Sequence, residues 1–297
     1  MRVFVTGATG FVGFAVVKEL THAGHKVLGL ARSEAGARSL AGAGAEVQRG
    51  ALEDLDSLRR GAADADAVIH TAFIHDFLNY GAAAEADRRA IEALGEVLAG
   101  SHRPLLVTAG VARLAPGRTA TEDETLDLAA AAVPRQSEPV AMALAARGVR
   151  ALVMRLPPSV HGRGDHGFVP RLVQIAREKG VSAYIGDGSN RWPAVHRDDA
   201  ARLYRLALEK APAGTRLNAI ADEGVPIRDL AAVIGRRLGL PVVAKSAAEA
   251  QDHFGWLAPF LALDVPGSSA RTRERLGWQP TQPGLLADLD QPHYFET

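Results

Sequence analysis

Short apolar runs alternate with longer amphipathic segments through the first half of the chain. The runs have the length of β-strands, and the segments between them repeat their apolar positions with the period of a helix. The predicted strands cover residues 2–6, 26–31, 46–49, 67–71, 105–108 and 151–155. Strands that alternate with helices of this length predict βαβ units, and hence a parallel sheet with helices on both faces.

The second half of the chain is less regular and has more proline and glycine between its elements. The helical patterns cover residues 11–23, 34–41, 54–61, 81–99, 137–147, 168–179, 227–238 and 269–276, and one further helix begins at Asp198 or Asp199 and runs to Glu209. We therefore predict an α/β fold, a doubly wound parallel sheet with a smaller C-terminal lobe. Residues 1–156 form the larger domain, to which 191–211 returns, and residues 157–190 and 212–297 form the lobe.

Composition narrows the class of protein. The 297 residues include 34 Lys and Arg, 34 Asp and Glu and no cysteine, and 47% of them are hydrophobic. This apolar fraction excludes a disordered chain, and a net charge of zero argues against a nucleic-acid-binding protein. The chain has no run of 18 apolar residues, so we expect a soluble, cytoplasmic protein with no membrane partner. Without cysteine, a His-Glu-x-x-His pattern or a calcium loop, no metal site is expected.

A glycine-rich turn carries the clearest chemical signal. The sequence Gly-Ala-Thr-Gly-Phe-Val-Gly at residues 7–13 directly follows the first strand and opens the first helix. In a dinucleotide-binding turn the first glycine permits the tight turn, the second lets the backbone approach the pyrophosphate, and the third brings the helix close to the sheet. The helix N-terminus then offers unpaired N–H groups to the phosphates. The alternative is an ordinary strand–turn–helix, but its place at the start of a βαβ series favours the cofactor.

The end of the second strand indicates which dinucleotide binds. An NAD site usually has an acidic residue here, which holds the ribose 2′-hydroxyl. This chain instead has Arg32 and Ser33, and its first acid is Glu34. Arginine and serine suit a 2′-phosphate, so NADP(H) is predicted in preference to NAD(H). The alternative is that Arg32 is an ordinary solvated arginine.

Together these segments resemble the short-chain dehydrogenase/reductase superfamily, in its extended and atypical branch of NAD(P)-dependent epimerases and dehydratases. Besides the turn and Arg32, the similar segments are Arg-Leu-Pro-Pro-Ser-Val-His-Gly at 155–162, Val-His-Arg-Asp-Asp-Ala-Ala at 195–201 and Leu-Gly-Trp-Gln-Pro at 276–280. The resemblance covers nearly the whole chain. It implies a Rossmann-type fold with a variable C-terminal lobe that binds a small-molecule substrate, and a homodimer, but no single reaction.

The resemblance also gives the expected cofactor-binding residues. They are Gly7, Thr9, Gly10, Phe11, Val12, Gly13, Arg32, Ser33, Leu52, Thr71, Ala72, Pro157, Ser159 and Val160. The last three belong to the segment that is similar to the wall of the nicotinamide pocket. On this basis residues 1–156 form an NADP-binding Rossmann domain.

The chain departs from the superfamily at its catalytic positions. Typical members use Tyr-x-x-x-Lys, but none of the four tyrosines here has a lysine four residues later. Alignment on Glu138 puts Ala130 and Pro134 at the Tyr and Lys positions. The usual upstream hydroxyl is replaced by Ala109 or Gly110. Hydride transfer to a carbonyl group would therefore need another proton donor.

Histidine titrates near neutral pH and suits that role. His161 is the first candidate, since it occupies the position of a family tyrosine beside the nicotinamide; the alternative is a packing residue. His75 and Asp76 follow the fourth strand at the edge where Rossmann sites open, and the alternative is a capped loop. Asp87 takes the place of the usual helix asparagine, and its alternative is a structural acid of the helix.

These features predict an NADP(H)-dependent oxidoreductase of the atypical short-chain type that acts on a small organic carbonyl, alkene or sugar-like substrate without the Tyr-x-x-x-Lys pair. Two alternatives remain open. One is a non-catalytic NADP(H)-binding sensor or interaction protein, because the Tyr and Lys are absent. The other is an epimerase or dehydratase that regenerates its bound cofactor internally.

Overall fold

The computed structural model describes residues 1–76, 79–111, 114–115, 117–125 and 135–296. Within them the strands are β1 (Arg2–Thr6), β2 (Lys26–Ala31), β3 (Glu46–Arg49), β4 (Ala67–His70), β5 (Pro104–Gly110), β6 (Arg150–Leu156), β7 (Ser159–His161), β8 (Ser182–Ile185), β9 (Arg191–His196), β10 (Arg216–Asn218), β11 (Asp222–Pro226) and β12 (Val242–Lys245). The helices are α1 (Phe11–His22), α2 (Glu34–Gly42), α3 (Leu55–Ala63), α4 (Tyr80–Leu98), α5 (Ser137–Ala146), α6 (Phe168–Lys179), α7 (Arg197–Lys210), α8 (Ile227–Leu238), α9 (Ala247–Phe254), α10 (Ala258–Leu261), α11 (Ala270–Leu276) and α12 (Leu285–Leu289).

Seven strands form one parallel sheet in the order β10-β6-β5-β4-β1-β2-β3. The chain leaves β1 toward β2 and β3, and then returns to place β4 on the other side of β1. This reversal opens a crevice at the carboxyl ends of β1 and β4, which is where ligands bind in doubly wound sheets. The predicted doubly wound, Rossmann-type fold is confirmed.

Both faces of this sheet are covered by helices, because successive side chains of each strand point to opposite sides. Val3 and Val5 of β1 belong to a core with α1 and α7, whereas Phe4 belongs to a core with α3, α4 and α5. A central parallel strand therefore needs an unbroken apolar run, as β1 has.

The smaller lobe has its own core and two small sheets. β9 pairs with β7 and β11, and β8 pairs with β12. α6, α8 and α9 pack around the buried Trp192 and Ala194 of β9. These short strands join segments that are far apart in the sequence, and the sequence pattern did not predict them.

The chain crosses between the two parts more often than the predicted boundaries suggest. Residues 212–297 are predicted to belong to the lobe, but Arg216–Asn218 pairs with β6 in the large sheet. Residues 191–211 also divide, since β9 lies in the lobe and α7 packs on the core of the large sheet. Both parts therefore depend on the same stretch of chain.

Two of the segments that carry the family resemblance, residues 195–201 and 276–280, contact each other. Trp278 is buried and its Nε1 donates to the backbone oxygen of Asp199, at the start of α7. The carboxylate of Asp199 accepts from the backbone N–H groups of Thr281 and Gln282. These residues therefore fasten the C-terminal segment to α7. No helix in the described part of the chain is long and apolar enough to cross a membrane.

Candidate cofactor and active site

The glycine turn has the close backbone packing that a dinucleotide cradle requires. Gly7 has φ +66°, and a Cβ added there would lie 2.6 Å from the backbone nitrogen of Ala72. A Cβ on Gly13 would lie 2.1 Å from the carbonyl oxygen of Gly7. Gly10 is the N-cap residue of α1 and offers no side chain to cap the helix. The first N–H groups of the helix, including those of Phe11 and Val12, are therefore available to an anion beside a backbone that has no side chain in the way.

The two residues that follow β4 hold this turn through hydrogen bonds to Thr6. The Thr71 hydroxyl donates to the backbone oxygen of Thr6 at 2.7 Å, and the Ala72 N–H donates to the Thr6 hydroxyl at 3.4 Å. The Thr71 hydroxyl also lies 2.7 Å from the position that a Cβ of Gly7 or Gly13 would take. Thr71 and Ala72 thus fix the turn from the carboxyl end of β4, while Thr9 at its tip is exposed.

The turn after β2 is basic. Arg32 is exposed, and its side chain forms no hydrogen bond or ion pair with the residues that the structure describes. Ser33 caps α2, since its hydroxyl accepts from the Gly36 N–H. Arg49, at the end of β3, donates to the backbone oxygen of Ser33 at 2.8 Å and lies 3.5 Å from the carboxylate of Glu34. The first acid after β2 is therefore engaged by an arginine.

The other predicted cofactor-binding residues follow strands that lie on opposite sides of β1 in the large sheet. Leu52 is buried in the segment after β3 and packs with α3 and α4. Pro157 follows β6, and Val160 of β7 packs partly buried against the core that holds α1. Ser159 is buried and its hydroxyl has no hydrogen-bond partner in the described part of the chain.

His161 lies at the junction of the lobe with the C-terminal segment. Its ring is buried, and Nδ1 lies 2.9 Å from a carboxylate oxygen of Asp288 in α12. The ring packs edge-on against His196, with centroids 5.4 Å apart. The Tyr294 hydroxyl lies 3.1 Å from the same oxygen of Asp288 and 3.4 Å from Asp165. The structure thus places His161 in a cluster of ionisable groups that bridges β7 to the C-terminal segment.

His75 and Asp76 follow β4, as predicted. The carboxylate of Asp76 accepts from the backbone N–H and the side-chain amide of Asn79, just before α4. The His75 ring packs edge-on against Phe73. Desolvation and the positive charge of Arg135 lower the pKa of His75, which favours the neutral imidazole.

Asp87 is fully buried in α4 and faces the carboxyl edge of the sheet. One oxygen lies 3.3 Å from Nε2 of His70, and the Ser137 hydroxyl donates to the other. Burial acts to raise the pKa of Asp87, but the His70 hydrogen bond and the charge of Arg135 outweigh it and hold the pKa below its usual range. Asp87 is therefore a fixed negative charge.

His70 extends this contact to the cradle. Its Nδ1 lies 2.8 Å from the hydroxyl of Thr6, the last residue of β1. The hydroxyl of Thr108 in β5 donates to the backbone oxygen of His70 at 2.7 Å and also meets the Tyr204 hydroxyl. A continuous polar network thus links the carboxyl ends of β1, β4 and β5.

The sequence prediction did not include His70 or Arg135. His70 ends an apolar strand, a position where a polar side chain reaches the ligand-binding edge, and that signal was available. Arg135 meets Asp87 across 48 residues and left no local signal. Asp87 and His75 lie near Arg135, whereas His161 belongs to the separate cluster with Asp288. Ala130 and Pro134 lie outside the described residues.

The geometry defines a doubly wound dinucleotide-binding protein with a smaller lobe beside the carboxyl edge of its sheet. Residues 3–100 and 135–219 match the NAD dependent epimerase/dehydratase family, and the chain belongs to that family. The resemblance drawn from the sequence is confirmed. Membership supports an NAD(P)-dependent function of the oxidoreductase or epimerase type.

Individual relatives agree with this assignment. An uncharacterised protein of Schizosaccharomyces pombe is 52% identical over 99% of this chain and 100% of its own length. A 2-alkyl-3-oxoalkanoate reductase of Stenotrophomonas maltophilia is 28% identical over 83% of this chain and 78% of its own. The solved structure of a dTDP-glucose 4,6-dehydratase from Streptomyces venezuelae, with NAD bound, has a TM-score of 0.78 at 21% identity, over 98% of this chain and 95% of the other. That likeness shows the fold.

Proposed function

We propose that the protein is an NADP(H)-dependent oxidoreductase that reduces a small organic carbonyl compound. An activated alkene or a sugar-like compound is a further substrate class for the same site. The observation that carries the proposal is the basic turn after β2, beside the glycine cradle. When bound, NADPH supplies a hydride.

The support for NADP(H) comes from the charges around this turn. Arg32 offers a guanidinium with no competing partner among the described residues, and the Ser33 hydroxyl can still donate its proton while it caps α2. Glu34 lies within ion-pair distance of both Arg38 and Arg49, which neutralise it. A 2′-phosphate therefore meets positive charge in a place where NAD-specific sites present a carboxylate.

The support for reduction comes from the substrate side. The distant relatives include proteins named as reductases, one of which acts on a 3-oxo compound by its name. The fixed charges of Asp87 and Arg135 lie at the edge of the crevice beside Phe73, where a carbonyl substrate would approach the nicotinamide. Asp87 and Arg135 therefore provide charged groups on the substrate side of the crevice, although the Tyr-x-x-x-Lys pair is absent from the sequence.

The first experiment measures the binding of NADPH and NADH and the oxidation of NADPH against a panel of aldehydes, ketones and activated alkenes. We expect turnover with a preference for NADPH. Arg32→Ala should weaken NADPH binding about 10-fold to 100-fold, the value of a charged hydrogen bond, and leave NADH binding nearly unchanged. Equal weakening for both cofactors would contradict the role of Arg32.

The same measurements separate the two alternatives. An epimerase or dehydratase interconverts its substrate without net consumption of free NADPH, because it regenerates the bound cofactor. A sensor binds NADPH tightly and converts no compound. Either result would overturn the proposed reductase and leave the NADP(H) assignment to be decided by the affinity ratio.

A further inference from the structure

Beside the crevice lies a guanidinium whose contacts hold it in one place. We infer that Arg135 binds the carbonyl oxygen of the substrate and stabilises the negative charge that develops there as the hydride arrives. This inference rests on the proposed function and names the group that would act at the reacting oxygen.

The position of Arg135 is fixed along one edge of the guanidinium. Nε donates to the Ser137 hydroxyl at 2.6 Å, and Nη2 donates to the backbone oxygen of Thr108 at 3.1 Å. Nε and Nη2 also lie 3.5 and 3.4 Å from the two carboxylate oxygens of Asp87. Thr108 belongs to β5, so this edge faces the carboxyl end of the sheet.

The opposite edge of the guanidinium carries Nη1 and meets no hydrogen-bond acceptor in the part of the chain that the structure describes. The guanidinium is planar, so Nη1 lies away from the edge that meets Asp87 and Thr108. Nη1 forms no hydrogen bond with any residue that the structure describes. One face of the group lies 3.9 Å from the centroid of the Phe73 ring, and the side chain keeps 22% of its exposure. Phe73 comes directly after Thr71 and Ala72, which support the glycine cradle, so Arg135 lies close to the switch point.

The charge of Arg135 is prepared in advance. Asp87 is buried and anionic, and its partners His70 and Ser137 hold it in place. Arginine side chains carry a positive charge in proteins, so a cation lies beside the buried carboxylate of Asp87. Donors that are fixed before the reaction stabilise developing charge without a cost of reorganisation. A freely rotating surface arginine would lack this advantage.

The chemistry balances as follows. The carbonyl carbon would gain a hydride as the C4–H bond of bound NADPH breaks, and the electron pair of the C=O π bond would move to the oxygen. Arg135 donates a hydrogen bond from Nη1 to that oxygen as its charge grows. The alkoxide then takes a proton from solvent water, because the guanidinium keeps its own. The nicotinamide is oxidised and the carbonyl compound becomes an alcohol.

The test compares Arg135→Met and Arg135→Lys with the wild type, using a carbonyl compound that the panel identifies as a substrate. Arg135→Met should lower kcat about 100-fold to 1000-fold, as the loss of one oxyanion donor does, with the NADPH affinity within about threefold. Arg135→Lys keeps the positive charge but lacks the planar guanidinium. Its kcat should lie between those of the wild type and Arg135→Met. A third variant, Arg135→Ala, should regain part of its activity when guanidinium ion is added at about 20 mM, far below denaturing levels.

Arg103→Met is the matched control. The Arg103 guanidinium donates to the backbone oxygens of Ala62, Ala65 and Val97 at the opposite end of β5. Arg103 directly precedes β5, and its loss removes a partly buried structural arginine at the end of that strand away from Arg135. We expect a lower thermal stability and an unchanged kcat.

A second measurement separates this inference from the proposed function. Acetate is a stable anion whose carboxylate oxygen can stand in for the charged oxygen of the reacting substrate. It is titrated into the complex of the protein with NADP⁺. We expect Arg135→Met to bind acetate at least about tenfold more weakly than the wild type, the cost of one charged hydrogen bond. Equal acetate affinity, unchanged kcat or a parallel loss of NADPH binding would overturn the role of Arg135. A wild type that reduces no compound overturns the proposed function instead, even if acetate binding depends on Arg135.

Discussion

At the scale of single residues, the cradle depends on the absence of two side chains. Gly7 and Gly13 lie where β1, α1 and β4 come closest, and a methyl group at either position would overlap backbone. The positive φ of Gly7 adds a backbone cost for any other residue. The two glycines therefore have a steric role beyond the approach of a phosphate.

Gly13→Ala tests that role. The added Cβ would come 2.1 Å from the backbone oxygen of Gly7, so the helix must move away from the sheet. We expect a loss of about 1–3 kcal/mol in the free energy of unfolding, typical of overpacking, together with weaker NADPH binding. Urea denaturation and a cofactor titration measure the two effects.

Gly42→Ala is the control for this substitution. Gly42 ends α2 with a negative φ, and an added Cβ meets nothing within 4 Å. The same change should be neutral or slightly stabilising there, because alanine lowers the entropy of the unfolded chain. If Gly13→Ala behaved like Gly42→Ala, the close packing of the turn would be refuted.

At the scale of elements, one buried ion pair joins α5 to β6. Nε of Arg155 donates to the carboxylate of Glu138 at 2.7 Å, and Arg155 also donates to the backbone oxygens of Thr121 and Glu124. Arg216 of β10 adds a second cation to Glu138 at 2.8 Å. The sequence linked Glu138 and Arg155 to the family pattern, and the structure gives both of them a structural contact.

Arg155→Met should cost about 3 kcal/mol in the free energy of unfolding, because Glu138 stays buried with only Arg216 as partner. Arg88→Met is the matched control. Arg88 pairs with Glu85 and Glu92 on the exposed side of α4, and its loss should cost less than about 1 kcal/mol. Urea denaturation at pH 7 compares the two. A cost for Arg155→Met as small as that of the control would contradict the importance of the buried pair.

The elements of the first half could be predicted because the hydrophobic pattern of each one lies within its own short stretch of sequence. β1, β2 and β3 have the predicted bounds, and the helices between them differ by at most two residues at either end. The short strands of the lobe could not be predicted, since β7, β8 and β9 each owe their stability to a partner strand from elsewhere in the chain. Arg135 could not be predicted for the same reason, because its role depends on a contact with Asp87, 48 residues away in the sequence. The glycine turn was visible because its requirement for space is local.

At the scale of the whole molecule, the C-terminal segment packs against β7, the strand that contains His161. His161 was chosen from the sequence for its position beside the nicotinamide pocket. Its contact with Asp288 joins residues 127 positions apart, and no sequence pattern could have indicated it. We call His161, Asp165, Asp288 and Tyr294 the junction cluster. It connects β7 and the loop after it to α12 and the end of the chain.

The junction cluster should make stability depend on pH. Burial raises the pKa of Asp165 to about 6, although the Gly167 N–H and the nearby His161 and His166 act to lower it. Between the unfolded value near 4 and this value, the folded protein binds more protons than the unfolded chain does. The contribution of Asp165 to the free energy of unfolding is therefore greatest below pH 4 and falls as the pH rises to 6.

Asp165→Asn should remove this dependence. Asparagine keeps one oxygen that can accept from the Gly167 N–H, and its amide group can donate to the oxygen of the Tyr294 hydroxyl, but the side chain does not titrate. The difference in unfolding free energy between wild type and variant should fall by at most about 3 kcal/mol from pH 4 to pH 6, since one pKa unit corresponds to about 1.4 kcal/mol. Urea denaturation across this range measures it, with Asp252→Asn on the exposed side of α9 as the control. A difference that stays constant, or that grows with pH, would show that the folded protein does not hold a proton on Asp165.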